Sequence, residues 1–160
     1  MKYTSNSKKI EAREDDSFFT GEKEILVING FYHQKTALGL FPFVAETLEE
    51  FKDLKLYEID KKTQGLIFKG FQYANLTWSL SITAQINWSN LLQLPDALFP
   101  LPIQAKDLTV YNLPLDERMN FYLTALNSKN LPLQSGHALK LQVQAMTTID
   151  EINNFTDNRN

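Results

Sequence analysis

The sequence predicts an α+β protein that is mainly antiparallel β, with about seven strands in a curved sheet, barrel or sandwich and one helix near residues 42–53. Two observations lead to this prediction. Residues 75–88 alternate between polar and apolar side chains, and short turns separate the strand-like segments around them. We expect a mobile N-terminal tail over 1–20, a single β-rich domain over 21–150 and a C-terminal tail over 151–160.

The first predicted elements are a short strand and the helix. Residues 24–28 form an apolar run suited to a buried strand, and Asn29-Gly30 after it is a turn signal. Pro42 suits the first turn of a helix, and apolar residues follow it at helical spacing up to Phe51. Residues 54–59 and 65–73 then read as strands, and the second joins the long strand through a hairpin turn at Ala74-Asn75.

The alternation over 75–88 predicts one strand of about 45 Å with an apolar face and an uncharged polar face. Trp78 and Trp88 have the same parity, so a strand would place them on one face about 34 Å apart. Residues 89–103 are apolar but contain three prolines, so we expect either a connection over the core or an arm that docks elsewhere. A repeated Asn-Leu-Pro-Leu at 112–115 and 130–133 precedes two further predicted strands, near 118–127 and 138–148.

Charge is distributed unevenly along the chain. Residues 1–24 contain eleven charged side chains, whereas residues 64–105 contain two, Lys69 and Asp96. A free surface carries about a quarter to a third charged residues, so part of this stretch should face a partner, an enclosed cavity or a second sheet of the same chain. A packed second sheet and an intermolecular interface explain the pattern equally well.

The first functional hypothesis is a non-enzymatic assembly or adaptor module that binds protein partners, or itself, through a charge-poor β surface. Tryptophan and uncharged side chains are typical of the centres of such interfaces. The residues expected at this surface are Thr77, Trp78, Ser79, Ser81, Thr83, Gln85, Trp88, Leu98 and Phe99.

The alternative is a small barrel that binds an apolar ligand, with or without catalysis, because curved sheets often enclose an apolar pocket. The residues expected in that pocket are Tyr32, His33, Phe43, Tyr73 and Phe121. His33 and His137 are the two candidates for a general base, since histidine titrates near neutral pH. No surrounding motif assigns either of them a catalytic role, so we lean away from an enzyme.

Several classes of function are not expected. The chain has no cysteine, and its two histidines have no carboxylates at metal-ligand spacing, so we expect no metal site. Phosphate-binding and dinucleotide-binding glycine motifs are missing from the sequence, so we expect no cofactor. A net charge of -3 argues against nucleic acid as a partner. The sequence shows neither a signal peptide nor a long apolar run, which predicts a cytoplasmic protein without a membrane partner.

Overall fold

The computed structural model describes residues 16–20, 23–28 and 31–160, which form eight strands and four α-helices. The strands are β1 Asp16–Thr20, β2 Lys23–Ile28, β3 Phe31–Thr36, β4 Gly39–Pro42, β5 Phe71–Tyr73, β6 Leu76–Trp78, β7 Leu101–Gln104 and β8 Val110–Leu113. The helices are α1 Leu48–Phe68, α2 Ile82–Asn90, α3 Arg118–Ala145 and α4 Ile149–Asn154, with two short 3₁₀ turns at Leu91–Gln93 and Asp96–Leu98.

The chain divides into two units. The first contains the described residues up to Glu58 together with Gln142–Thr156, and the second contains Ile59–Leu141 and Asp157–Asn160. In the first unit, strands β1 to β4 form one antiparallel sheet in sequence order. Ile25, Phe43 and Ala45 form its buried cluster, against which Tyr32, Phe51 and Leu54 pack.

The second unit contains two separate antiparallel hairpins, β5–β6 and β7–β8, together with α2 and most of α3. Its core is rich in aromatic residues, with Trp78 and Phe121 both fully buried. The turn between β5 and β6 is Ala74-Asn75, and both residues have positive φ angles, as a two-residue hairpin turn requires. The predicted position of this turn is therefore confirmed.

Side chains fix the starts of three helices. Before α1, the Thr47 hydroxyl accepts a hydrogen bond from the Glu50 backbone N–H at 3.3 Å, and Glu50 Oε2 accepts one from the Thr47 N–H at 3.3 Å. This reciprocal pair is a capping box, which satisfies two backbone donors at a helix start. Thr148 and Glu151 repeat it at α4, and Ser81 alone caps α2.

The prediction of a mainly β fold is wrong. The three sheets have four, two and two strands, and no closed barrel occurs among the described residues. The helix expected near 42–53 begins at Leu48 and continues to Phe68, through the strand predicted at 54–59. It also includes the start of the strand predicted at 65–73, of which only Phe71–Tyr73 is a strand. It begins late because the capping box, and not Pro42, defines its first turn.

Three further predicted strands are wholly or largely helical. The long strand over 75–88 is a three-residue strand, β6, followed by helix α2. The strands near 118–127 and 138–148 are parts of the single helix α3, which buries Phe121, Ala125 and Val143 at spacings of four and eighteen residues. At about 3.6 residues per turn, these spacings are close to one turn and to five turns, so the three residues lie on one face of the helix.

Other expectations have mixed outcomes. The strand predicted at 24–28 is confirmed as β2, whereas the turn at 29–30 lies outside the described residues. Most of the predicted N-terminal tail lies outside them too, although residues 16–20 form β1. Within the described part of the chain, none of the helices combines the length and hydropathy that a membrane span requires.

Candidate interaction surface

An aromatic cluster fixes the centre of the second unit. Trp78 contacts Trp88, Tyr111 and Phe121 edge to face, with ring centroids 6.1, 6.1 and 5.0 Å away. Its indole N–H donates to the Tyr73 carbonyl at 3.0 Å. Because Trp78 is fully buried and its polar atom is paired, it supports the surface from beneath and is not exposed on it.

Trp88 lies at the boundary between this core and the surface. Its indole N–H donates to the Ser79 carbonyl at 2.8 Å, and its ring packs against Phe121 at 5.1 Å. The side chain is half-buried, so one part of the ring is held by the core while another remains accessible. A tryptophan held in this way is a typical interface anchor, because little conformational entropy is lost when a partner contacts it.

A surface cleft of about 420 Å³ borders Trp88 on the side of β7. We call it the Trp88 cleft; its lining residues are Asn87, Trp88, Asn90, Leu91, Leu94, Leu101, Ile103 and Gln104. All eight belong to the described part of the chain and are uncharged. Five are apolar and three are primary amides, so the cleft combines an apolar lining with groups that both donate and accept hydrogen bonds.

The loop that contributes Leu94 is held by Arg118 at the start of α3. Arg118 Nη1 donates to the Leu94 carbonyl at 3.0 Å and approaches Asp96 Oδ1 at 3.1 Å. The guanidinium carbon lies 5.2 Å from the centroid of the Phe99 ring, within cation–π range. Leu91 belongs to the buried core, and Leu94, Phe99 and Leu101 pack against it. The segment 89–103 is thus a connection over its own core.

A second, smaller cavity lies on the α3 side of Trp88. Its volume is about 40 Å³, and Gln85, Trp88, Tyr122 and Leu126 are among its lining residues. This space holds no more than a few water molecules, whereas sites for small organic ligands measure about 300–1,000 Å³. Of these two cavities, only the Trp88 cleft is large enough to receive a side chain or ligand.

Helix α2 continues the uncharged surface away from the cleft. Each of its exposed residues is uncharged: Ile82, Thr83, Ile86, Asn87, Ser89 and Asn90. Ile82 and Ile86 are 70% and 57% exposed, respectively, and lie one helical turn apart. The charge-poor stretch recognised in the sequence therefore includes exposed helical surface.

The structure distributes the predicted partner-binding residues between structural and surface positions. Trp78 is in the core, Ser79 accepts the Trp88 hydrogen bond and Ser81 caps α2. Thr77 and Gln85 are half-buried; the Thr77 carbonyl accepts from the Lys106 N–H and the Gln85 amide donates to the Leu80 carbonyl. Of the predicted residues, Ser81, Thr83 and Leu98 are exposed, while Trp88 and Phe99 are half-buried.

The predicted ligand-binding residues belong to different units. Tyr32, His33 and Phe43 are in the first unit, where Phe43 is buried and the Tyr32 hydroxyl donates to Glu58 Oε1 at 3.3 Å. Burial, reinforced by Glu58, raises the pKa of Tyr32 to about 12. Tyr73 and Phe121 are in the second unit, and Phe121 is fully buried. His137 is exposed on α3.

One carboxylate in the second unit binds two phenols. Glu117 Oε2 accepts from the Tyr111 hydroxyl at 2.6 Å and from the Tyr73 hydroxyl at 2.9 Å. The hydrogen bond to Glu117 and desolvation raise the pKa of Tyr111 to about 12, and burial together with Glu117 raises the pKa of Tyr73. Both phenols therefore remain protonated near neutral pH, and the group connects β5, β8 and the start of α3. No cluster of metal-ligating side chains occurs among the described residues.

Sequence reasoning missed most of the Trp88 cleft, including Asn87, Asn90, Leu94 and Gln104. The available signal was the spacing of Ala84, Trp88 and Leu91, which is the i, i+4, i+7 pattern of a helix face. With α2 recognised, Asn87 would have been placed one helical turn from Asn90 and Leu91. Comparisons with family models, curated proteins and solved structures find no significant match for this chain.

Proposed function

We propose that this protein is a non-enzymatic interaction module that binds an uncharged, apolar segment of a protein partner in the Trp88 cleft. The observation that supports this function is a cleft of about 420 Å³ whose eight lining residues are uncharged and include an ordered tryptophan. Centres of protein interfaces are poor in charge and rich in aromatic anchors.

The three amides of the cleft favour a peptide as the occupant. Asn87, Asn90 and Gln104 can each donate to a carbonyl and accept from an N–H, which are the two polar groups that an extended peptide presents. Pro102 of β7 has no N–H to donate, which weakens β7 as a template for an added strand. Recognition therefore depends on insertion of an apolar side chain, with the amides pairing to the flanking backbone.

The test is selection of peptides from a random display library against the full chain, followed by affinity measurements on the selected peptides. We expect enriched peptides to contain aliphatic or aromatic residues flanked by uncharged ones. Asn90→Lys places a charge at the edge of the cleft and should weaken binding by about tenfold or more. Asn112→Lys makes the same chemical change at an exposed position of β8 outside the lining, and should leave the affinity within about twofold.

Equal effects of the two substitutions, or no enrichment of any peptide, would contradict this function. The two tryptophans provide a second readout, because Trp78 is buried while Trp88 lines the cleft. A bound peptide should shift the emission of Trp88 in the native protein and in Asn112→Lys at the same peptide concentration.

A small apolar ligand is the second candidate occupant, because the cleft volume of about 420 Å³ lies within the range of small-molecule sites. Titration of tryptophan emission with a panel of uncharged apolar compounds tests it. A saturable shift that Asn90→Lys leaves unchanged would favour this candidate over a peptide, since such a compound has no backbone groups for the amide to bind.

A further inference from the structure

Arg159 inserts its guanidinium between α1 and α3 in the second unit. Nη1 donates to Thr63 Oγ1 at 2.9 Å and to the Pro132 carbonyl at 3.1 Å, and it lies 3.5 Å from Ser135 Oγ. Nη2 donates to the Ile59 carbonyl at 3.1 Å. We call this place the α1–α3 notch; the residues that form it are Ile59, Thr63, Pro132, Ser135 and Gly136.

The other donors of the guanidinium bind a carboxylate of the same segment. Nε donates to Asp157 Oδ1 at 2.9 Å and Nη2 donates to Asp157 Oδ2 at 2.6 Å, which is the bidentate geometry of an arginine–carboxylate pair. Lys62 of α1 in turn donates to the Asp157 carbonyl at 2.6 Å. A guanidinium has five N–H groups, and the notch and Asp157 together offer an acceptor for each of them.

The notch is shaped for a guanidinium. Thr63 is 5% exposed and the Arg159 side chain that meets it is 13% exposed, so the contact is largely shielded from water. Gly136 provides the space, because a Cβ atom at this position would lie 2.9 Å from Arg159 Nη1. A lysine could not replace the arginine here, since an ammonium group has its donors on one atom, whereas the planar guanidinium reaches acceptors on both helices.

The notch selects a charge pair and not a lone cation. The residues that form it are uncharged, so the positive charge of Arg159 is balanced by Asp157, which arrives on the same segment. A guanidinium that is buried without a counter-ion is strongly unfavourable. Lys62 Nζ lies 3.7 Å from Asp157 Oδ1, which places the carboxylate between two cations. The recognised unit is therefore an aspartate followed two residues later by an arginine.

The segment that contains Arg159 lies in the notch as an extended peptide does. Asp157 and Arg159 are half-buried, whereas Asn158 and Asn160 are exposed. This alternation is typical of extended backbone, in which successive side chains point to opposite sides. Residues 157–160 form neither helix nor strand, so their release would break none of the backbone hydrogen bonds within α1 or α3. We therefore expect the notch to keep its shape when the segment leaves it.

We propose that the α1–α3 notch is a binding site for an Asp-x-Arg peptide segment, which residues 157–159 fill as an exchangeable intramolecular ligand. The partner is a protein with the same pattern in an extended, accessible segment, because its carboxylate and guanidinium would make the contacts that Asp157 and Arg159 make here. The notch shares no residue with the lining of the Trp88 cleft, so the inference does not depend on the peptide binding proposed there.

The test empties the notch in the full chain by combining Asp157→Ala with Arg159→Ala. A fluorescently labelled peptide with the sequence of residues 155–160 is the probe, and fluorescence anisotropy measures its binding. We expect saturable binding to the emptied chain with a dissociation constant of about 100 µM or lower. The native chain should bind the probe at least about tenfold more weakly, because its own segment competes at an effective concentration on the order of millimolar.

Two substitutions test the chemistry of recognition. A probe that carries Arg159→Lys should bind the emptied chain about tenfold more weakly than the native probe does. Thr63→Val in the emptied chain removes an acceptor of the notch and should weaken binding of the native probe by about tenfold. Thr124→Val is the matched control, since the Thr124 hydroxyl also donates to the carbonyl four residues earlier but lies outside the notch. It should leave the affinity within about twofold.

The absence of saturable binding to an emptied chain that remains folded overturns the proposal. Equal binding of the native probe by the native and emptied chains overturns it too, because the probe would then occupy another site. Equal binding of the native and Arg159→Lys probes, or equal effects of Thr63→Val and Thr124→Val, has the same consequence.

Circular dichroism is the readout where the emptied chain does not fold by itself. Saturating native probe should then restore the helical signal, because a ligand that binds only the folded state shifts the folding equilibrium toward it. The Arg159→Lys probe at the same concentration should restore less. No recovery with the native probe overturns the proposal.

Discussion

Trp78 and Trp88 contact each other edge to face, with ring centroids 6.1 Å apart and an angle of 84° between the ring planes. Phe121 of α3 touches both rings, at 5.0 and 5.1 Å. The three aromatic side chains thereby join β6, α2 and α3, and they place one edge of Trp88 at the surface. The proposed binding site depends on this contact, because it determines where Trp88 lies when no partner is bound.

Trp88→Ala should lower the free energy of unfolding by about 2–3 kcal/mol, since it removes a half-buried ring from the aromatic cluster. It also leaves the Ser79 carbonyl without its hydrogen bond. Chemical denaturation followed by circular dichroism measures the change. Ile86→Ala is the control on the same helix; because Ile86 is exposed, the effect should be within about 0.5 kcal/mol. A cost for Trp88→Ala as small as that of the control would contradict the described packing.

The alternation over 75–88 is compatible with a helix as well as with a strand. Side chains on one face of a strand are two residues apart, and neighbours on one face of a helix can be four residues apart. Leu80, Ala84 and Trp88 therefore fit both patterns. The apolar residues at 82 and 86 completed the alternation, although on α2 they point away from Ala84 and are exposed. Exposed apolar residues on a helix can complete the alternation that is typical of a strand, and periodicity alone cannot separate the two.

Capping signals in the sequence mark the starts of two helices. Thr47-x-x-Glu50 and Thr148-x-x-Glu151 match the capping-box pattern, and both form it in the structure. They would have corrected the start of α1 and identified α4. Helix α3 was harder to predict, because Pro132 lies inside it and the sequence offers no comparable box at Arg118. Sequence patterns correctly predicted β2 and the turn at Ala74-Asn75. The Trp88 cleft could not be predicted from them, because it forms only when α2 packs on the rest of the second unit.

Glu50 should give the first unit a pH-dependent stability. A hydrogen bond from Lys23 and backbone hydrogen bonds from Glu46 and Thr47 lower the pKa of Glu50 below its ordinary value of 4.5. The folded state thus favours the carboxylate, so this stabilisation is complete above the unfolded pKa and is lost as pH falls through the lower folded pKa. Glu50→Gln should cost about 1–2 kcal/mol at pH 7 and progressively less in acid.

The measurement is denaturant unfolding of the native chain and Glu50→Gln at several pH values down to the acid range. Glu49→Gln is the matched control, since Glu49 is an exposed carboxylate in the same helical turn. It should follow the pH profile of the native chain. A difference between the native chain and Glu50→Gln that stays constant with pH would show that ionisation of Glu50 does not contribute.

Tyr111 should ionise only in strongly alkaline solution, because Glu117 and desolvation raise its pKa to about 12 from the ordinary 10.0. A raised pKa favours the protonated phenol in the folded state. Its stabilising contribution is therefore complete below the unfolded pKa and is lost as pH rises from about 10 to about 12.

Glu117→Gln removes the charge and should lower the pKa of Tyr111 toward its ordinary value. Chemical shifts of labelled tyrosine Cζ atoms resolve the six tyrosines. Tyr32, which is paired with Glu58, should be unaffected and serves as the internal control.

Gly136 of α3 should not tolerate alanine, although alanine is ordinarily the better helix residue by about 1 kcal/mol. A Cβ atom at Gly136 would lie 2.5 Å from Thr63 Oγ1 and 2.9 Å from Arg159 Nη1. Those two atoms are already committed, since Thr63 Oγ1 donates to the Ile59 carbonyl at 2.7 Å and Arg159 Nη1 donates to Thr63 Oγ1 at 2.9 Å. Gly136→Ala should therefore lower the free energy of unfolding by about 1–3 kcal/mol.

Gly65→Ala in α1 is the matched control, because its Cβ would meet nothing within 4 Å, and it should raise stability by up to about 1 kcal/mol. Thermal and denaturant unfolding of both variants measures the opposite signs, and stabilisation by both substitutions would mean that α1, α3 and Arg159 do not pack as described.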